Sequence, residues 1–334
     1  MTERFQQLNQ WLSEIIGSED YQLQPASGDA SFRRYFRLTH NGESSIVMDA
    51  PPAQEDCSPF IDVAERLLAV NINVPTIIEK DLKQGFLLLS DLGDEQYLDH
   101  LTEESADELY QDAIQALFYM QQRADTNNLP PYDENLLLQE MGLFRHWLLE
   151  KHIGLDLSEE MQTMLDEVFK LLLDEALAQP KVFVHRDYHS RNLMINRSGF
   201  GSGNPGVLDF QDAVCGPFTY DLVSLLKDCY IKWPEQQIRG WAHNFFEQIA
   251  ENYPEIDEGK FMRWFDLMGV QRHLKASGIF ARLCHRDGKV SYLADIPRTL
   301  SYIVDLNGEY PELQGLIELI QGFSIAEANK LCTP

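Results

Sequence analysis

Apolar residues recur along this chain first with a mixed period and then, beyond about residue 95, with an almost purely helical one. Phe5, Leu8, Trp11, Leu12 and Ile15 fall on one face of a helix over residues 3–16. Tyr21 to Ala26, Tyr35 to Thr39 and Ser45 to Met48 read as three short strands, with Asn41-Gly42 as the hairpin turn between the last two. Pro51-Pro52 ends the third strand. Ser58 as cap and Pro59 in the first turn start a helix that buries Phe60, Val63, Ala64, Leu67 and Leu68. Val74 to Ile78 and Phe86 to Ser90 add two more strands.

From there the stripes are helical. Residues 104–123 carry Leu109, Ala113, Ala116, Leu117 and Met120, and residues 135–151 carry Leu136, Leu143, Phe144, Trp147 and Leu148. Ser158 caps a further helix with Met161, Leu165, Val168, Phe169 and Leu172 inside. Later helical patterns lie near 219–231, 235–251, 259–284, 297–307 and 311–328. These stripes form core and receive no chemistry. The pattern predicts an α+β chain of two lobes. Residues 1–92 form a small antiparallel-sheet N-lobe with a helix, and residues 93–334 a larger, mainly helical C-lobe. The hinge falls near Ser90-Asp91-Leu92-Gly93.

Composition narrows the function classes. At 334 residues and 44% hydrophobic, the chain can bury two cores. A net charge of −26 argues against nucleic acid, whose partners concentrate Lys and Arg. No run of about eighteen apolar residues occurs, so no membrane-spanning helix is expected. The first fifteen residues are charged and amphipathic, unlike a secretory signal. Five scattered cysteines, without C-x-x-C spacing, predict reduced thiols and a cytoplasmic location.

The chemistry sits in one stretch. His185-Arg186-Asp187-Tyr188-His189-Ser190-Arg191-Asn192 follows the apolar run Lys181 to Val184. Leu193 to Asn196 is strand-like, residues 197–206 carry turn residues, and Leu208-Asp209-Phe210 ends the next run. A hairpin would bring Asp187, Asn192 and Asp209 to one edge of a small sheet. Phosphoryl transfer needs a carboxylate to hold the attacking hydroxyl and oxygen ligands for a magnesium ion. Asp187 fits the first role; Asn192 and Asp209 fit the second. Asp212 stays outside the ligand set, as a solvated acidic residue fits there equally well.

With Gly216-Pro217-Phe218-Thr219-Tyr220-Asp221-Leu222, these residues resemble the aminoglycoside phosphotransferase (choline kinase-like) family. Within it, residues 28–37 (GDASFRRYFR) and 271–289 resemble bacterial kinases of the anomeric hydroxyl of N-acetylmuramate and N-acetylglucosamine. The resemblance covers nearly the whole chain and implies a bilobal protein-kinase-like fold. It implies ATP and Mg²⁺ as cofactors, Asp187 as catalytic base, and Asn192 and Asp209 as metal ligands. It implies that His185 braces the catalytic loop, while Asp221 is expected to hold that loop rather than touch substrate. A small-molecule sugar is the implied partner, in cell-wall sugar recycling. A kinase for an aminoglycoside, choline or other amino-alcohol is one alternative, and a non-catalytic nucleotide-binding regulator another.

The nucleotide side departs from the family pattern. Residues 27–31 take the place of a Gly-rich loop with one glycine, leaving Gly28 and the Ser31 hydroxyl for phosphate contact. Where kinases place a phosphate-gripping Lys on the third strand, this chain has Met48 or Asp49. Arg33 or Arg34 is expected to supply the charge, and strand alternation lets only one of them face the nucleotide. Asp91 and Leu92 present hinge backbone to adenine. Leu88 and Leu89 line either the ring pocket or the core. On the acceptor side, Gln271, Arg272, His273 and Lys275 are candidate sugar contacts. Arg272, Lys275, Arg282 and Arg286 form either a substrate-facing basic stripe or a solvated face.

Overall fold

The structure, a computed structural model, describes residues 3–27, 32–196 and 203–323. The chain divides into two compact units: residues 1–96 with 192–212, and residues 97–191 with 213–334.

In the first unit helix α1 (Glu3–Ile16) precedes strands β1 (Gln22–Ser27), β2 (Arg34–His40) and β3 (Glu43–Asp49). Helix α2 (Ser58–Ala69) then leads to β4 (Ile77–Asp81) and β5 (Phe86–Ser90). These strands form one antiparallel sheet in the order β1-β2-β3-β5-β4. Asn41 and Gly42, with φ of 52° and 83°, make the turn between β2 and β3. Two successive left-handed residues are what a two-residue hairpin of matching twist requires.

Helix α1 lays Leu8, Trp11 and Leu12 on Leu38, Val47, Phe86 and Leu88. Each such fully buried side chain contributes about 2 kcal/mol. The register pairs Arg34 with Asp49, Phe36 with Val47 and Val47 with Leu88. Side chains alternate, so Arg34, Asp49 and Leu88 share the face under α1, while Met48 points to the other. Leu88 is thus a core residue.

Two local expectations change. The fourth strand starts at Ile77, not Val74, because Pro75 has no N–H to give a ladder. Ser58 does not cap α2; it is the first helical residue, and its N–H donates to the Asp56 carboxylate at 2.8 Å. A hairpin completes this unit: Leu193–Met194 pairs antiparallel with Gly206–Val207. It is tied to the rest by Val207 N–H to Asn73 O (2.7 Å) and Ile195 N–H to Glu95 O (2.8 Å).

The second unit is mostly helical. It contains α3 (Tyr97–His100), α4 (Ala106–Arg123), α5 (Glu134–Leu143) and α6 (Glu159–Leu177). Strand Lys181–Val184 follows and pairs antiparallel with Val214–Pro217. Then come α7 (Tyr220–Leu226), α8 (Glu235–Ile249), α9 (Glu258–Asp287), α10 (Ile296–Val304) and α11 (Gln314–Gly322). Helix α9 is 30 residues long, about 45 Å, and is the spine of the unit. The Asp257 carboxylate caps its start and Gly288, at φ 69°, ends it.

The stripe over 135–151 is not one α-helix. Helix α5 stops at Leu143 and Phe144–Ile153 is π-helical. The change falls where α9 comes against the chain at Gly278. A Cβ there would lie 2.3 Å from the carbonyl carbon of Leu143 and 2.5 Å from the nitrogen of Phe144. Cys57, Cys215 and Cys229 are free thiols. Cys284 is disulfide-bonded, which corrects the expectation of a reduced thiol there. No helix among the described residues is long and apolar enough to cross a membrane.

Candidate active site

In the second unit, strand Lys181–Val184 delivers the chain into the loop that begins at His185. Two buried carboxylates clamp this loop. Asp221, in α7, accepts the backbone N–H of His185 at 2.6 Å and of Arg186 at 2.9 Å. Asp228, just beyond α7, accepts both the N–H and the Oγ–H of Ser190, at 3.0 and 2.5 Å. Burial pushes the Asp221 carboxyl up to about 7, even though two N–H groups favour its charged form. Arg186 sits at φ 78°. That left-handed backbone costs a non-glycine residue about 1–2 kcal/mol, so the clamps hold a strained turn. The Asp187 N–H reaches His185 Nδ1 at 3.2 Å, and Tyr188 O–H donates to Ala113 O at 2.8 Å.

Asp187 is partly exposed. Burial works against its charged form, yet Lys275, His189, Arg272 and Arg186 together hold its carboxyl below the ordinary carboxylate range. It is therefore ionised at neutral pH, as a group that accepts a proton must be. Of the candidate acceptor residues on α9, Gln271, Arg272 and Lys275 are all buried. Arg272 donates to Cys229 Sγ at 3.4 Å, and Lys275 donates to Tyr220 Oη at 2.9 Å and pairs with Glu140 at 3.0 Å. The basic stripe is thus split. Its first two members are enclosed near Asp187, while Arg286 is exposed and pairs with Asp287. His273 has the opposite orientation to its expected role. It is 1% exposed, stacks on Tyr302 at 4.7 Å, and donates from Nε2 to Lys227 O at 2.8 Å. Burial drives its pKa down to about 3, so it is a neutral core histidine with no surface for a sugar.

The other candidates lie in the first unit. Asn192 and Asp209 stand at the two ends of the hairpin, joined by the Leu208 N–H to Asn192 O bond of 2.9 Å. Asn192 Nδ2 lies 3.3 Å from Asp209 Oδ2, and Gln211 Nε2 donates to Asp209 Oδ1 at 2.8 Å. One amide oxygen and one carboxylate suit a hard cation whose remaining ligands are phosphate oxygens and water. Among the described residues no cluster of three or more His, Cys, Asp or Glu could hold a metal by itself.

Gly28 and Ser31 lie outside the described residues. Arg34 is on the α1 face, its Nε 3.0 Å from Asp49 Oδ2. Arg4 reaches the same carboxylate, Nε to Oδ1 at 2.8 Å. Of the two positions where the lysine would be expected, Asp49 is therefore a buried carboxylate bridging two arginines on the α1 face, while Met48 lies on the other face. Arg33 pairs instead with Glu55 at 3.3 Å, and the Asp212 carboxylate near the end of the hairpin also acts on it. In residues 90–93, the Asp91 carboxylate is occupied by Arg37 (2.6 Å) and the Gly93 N–H (2.9 Å). Sequence reading missed Asp228, Arg4 and Glu140. Ser190 is 38 positions from Asp228, Asp49 is 45 from Arg4, and Arg186 is 46 from Glu140, so no local spacing marks them.

A family model described as the phosphotransferase enzyme family matches residues 22–258. The N-acetylmuramate/N-acetylglucosamine kinase of Pseudomonas putida is 47% identical over 329 residues, covering 95% of this chain and 96% of its own. The protein of the same name from Neisseria meningitidis serogroup B is 40% identical over 320 residues, covering 94% of each. Among solved structures, the GDP complex of aminoglycoside 2′-phosphotransferase-IIIa aligns with a TM-score of 0.62 at 15% identity, covering 90% of this chain and 99% of its own. A Plasmodium vivax ethanolamine kinase aligns with a TM-score of 0.61 at 11% identity, covering 85% and 82%. These two show the fold alone, and it is the protein-kinase-like α+β fold. The chain belongs to the phosphotransferase enzyme family.

Proposed function

We propose that this enzyme transfers the γ-phosphoryl group of ATP to the anomeric hydroxyl of N-acetylmuramate or N-acetylglucosamine, giving a sugar 1-phosphate. The observation that carries the reading is the near-full-length identity, up to 47%, with proteins named for that activity. The surroundings of Asp187 support it independently. The charged side chains acting on Asp187 include Lys275, Arg272 and Arg186. They favour a neutral or anionic acceptor and disfavour the cation that a choline or aminoglycoside kinase must hold.

In this reading Asp187 orients the sugar hydroxyl and takes its proton as the bond to phosphorus forms. Asn192 and Asp209 would hold Mg²⁺, which when bound neutralises charge on the transferred group. Arg33 would supply the phosphate contact that the third strand lacks. Arg272 and Lys275 would meet the acceptor, the former as a buried cation with no carboxylate in ion-pair reach among the described residues. Hinge backbone at Asp91 and Leu92 would receive adenine.

The test is an ATP-consumption screen across N-acetylmuramate, N-acetylglucosamine, choline and an aminoglycoside, with phosphorus NMR of each product. Turnover confined to the two sugars and a 1-phosphate signal are expected. Phosphorylated choline or aminoglycoside, with the sugars inert, would overturn the acceptor class. Asp187→Asn is expected to lower kcat by about a thousandfold or more.

A further inference from the structure

We infer that Arg191 and Arg272 form an anion receptor in the second unit, and that it reads the lactyl carboxylate which N-acetylmuramate carries and N-acetylglucosamine lacks. The inference deepens the proposed function and rests on it.

Three successive residues beyond α7 hold the parts in place. Asp228 takes the N–H and Oγ–H of Ser190 on one oxygen and the Tyr230 N–H, at 2.9 Å, on the other. Cys229 Sγ accepts from Arg272 Nη1 at 3.4 Å. The Tyr230 ring carries the Arg191 guanidinium, 3.7 Å from its centroid. His189 packs edge-on against the same ring, with centroids 5.2 Å apart. Burial, and with it both arginines, disfavours the charged form of His189. One cation from the Asp187 loop and one from α9 therefore act on the same histidine.

Charge balance sets these two apart. Lys227 and Lys275 are also buried, and they have carboxylates at 2.8 and 3.0 Å. Arg272 is 5% exposed and has no carboxylate in ion-pair reach among the described residues. Its Nε has no hydrogen-bond partner, and the sulfur on Nη1 is a weak acceptor. Arg191 is half-buried and rests on an aromatic ring, again with no carboxylate in reach among the described residues. Asp228, next to Cys229 in the chain, has both oxygens committed elsewhere. In a chain of net charge −26, acids to pair with them were plentiful. A buried guanidinium without a counter-charge is costly unless an anion completes it. The planar fork of a guanidinium matches a carboxylate. The anion belongs to the acceptor, because Arg191 lies on the Asp187 loop, four positions on, while the proposed phosphate contact, Arg33, is in the first unit.

The experiment compares kcat/KM for N-acetylmuramate with kcat/KM for N-acetylglucosamine in wild type, Arg191→Met and Arg272→Met. The ratio is expected to fall about tenfold or more in each variant. Arg191→Lys keeps the charge but loses the fork, and should recover part of the ratio. A ratio within about threefold of wild type in either variant would overturn the inference. So would a rise in the KM for ATP shared by both sugars, which would assign the arginines to the nucleotide phosphates. Should a variant not fold, the methyl ester of N-acetylmuramate makes the same test on wild type. It is expected to lose about tenfold in kcat/KM against the acid, and an ester turned over as well as the acid would refute the receptor. Wild type inert toward both sugars would remove the proposed function and this inference with it, a result distinct from an active wild type whose ratio does not move in the variants.

Discussion

Two buried carboxylates in the helical unit carry the same kinds of partner. Glu140 takes Lys275, Arg186 and the Tyr132 hydroxyl. Asp266 takes Lys227 at 2.8 Å, Arg239 at 2.9 Å and the Tyr310 hydroxyl at 2.7 Å. In both, cations and a phenol outweigh burial and hold the acid below the ordinary range. What differs is what else the cations touch. The Glu140 arginine precedes Asp187 in the chain and both its cations act on Asp187. The Asp266 cluster joins the end of α7 to α8, α9 and the segment before α11, and it is separate from Lys275, His189, Arg272 and Arg186, the side chains that lower the Asp187 carboxyl. A buried ion cluster is therefore not a functional sign by itself; its second neighbours decide.

The largest effects test that distinction directly. Glu140→Ala and Asp266→Ala each take the carboxylate away from a buried lysine and a partly buried arginine, which costs about 3–5 kcal/mol. Both variants should melt lower by similar amounts. Only Glu140→Ala should also lose kcat, and an equal kcat loss in Asp266→Ala would erase the contrast. Next in size is Gly278→Ala. Its added methyl meets main chain that cannot step aside, so a loss of about 1–3 kcal/mol is expected. Because the displaced helix carries Lys275, kcat should fall with the melting temperature, which a glycine facing the Asp266 cluster, Gly269, should not reproduce.

Smaller effects sharpen the picture at the loop and the nucleotide. Arg33→Ala should raise the KM for ATP about tenfold, while Arg34→Ala should alter stability alone, since its carboxylate lies on the α1 face. Asp221 offers a pH test. Its carboxyl is raised to about 7 from an ordinary 3.8, so the folded chain binds this proton more tightly than the unfolded one. Its contribution is complete below the ordinary value and is lost as pH rises through about 7. The melting-temperature advantage of wild type over Asp221→Asn should shrink between about pH 4 and pH 8. A constant gap would show that Asp221 does not titrate there.

Much of the fold was legible in the chain. The helical stripes, the Asn41-Gly42 turn, the Ser158 cap and the alternation in β2 and β3 are local patterns, and each was found close to where the periodicity put it. The misreadings were also local. Val74 looked like strand until Pro75 withheld its N–H, and residues 135–151 looked like one α-helix because periodicity does not register a shift to π geometry. His273 was drawn toward the site by its neighbours in sequence, yet one residue of helix turns a side chain by about 100°, and here that turn took it onto Tyr302.

The sequence by itself determined the reaction class, because Asp187, Asn192 and Asp209 belong to one continuous stretch whose spacing is set by a loop and a hairpin. It also determined that the third strand carries Met48 and Asp49 where a phosphate-gripping lysine would be expected. Only the tertiary structure decided that Arg34 is the arginine held on Asp49, because that depends on which sheet face α1 covers. Only the tertiary structure brought Glu140 to Arg186 and Lys275. Those partners are 46 and 135 positions apart in the chain, and the contact exists because two helices can cross closely where one residue has no side chain.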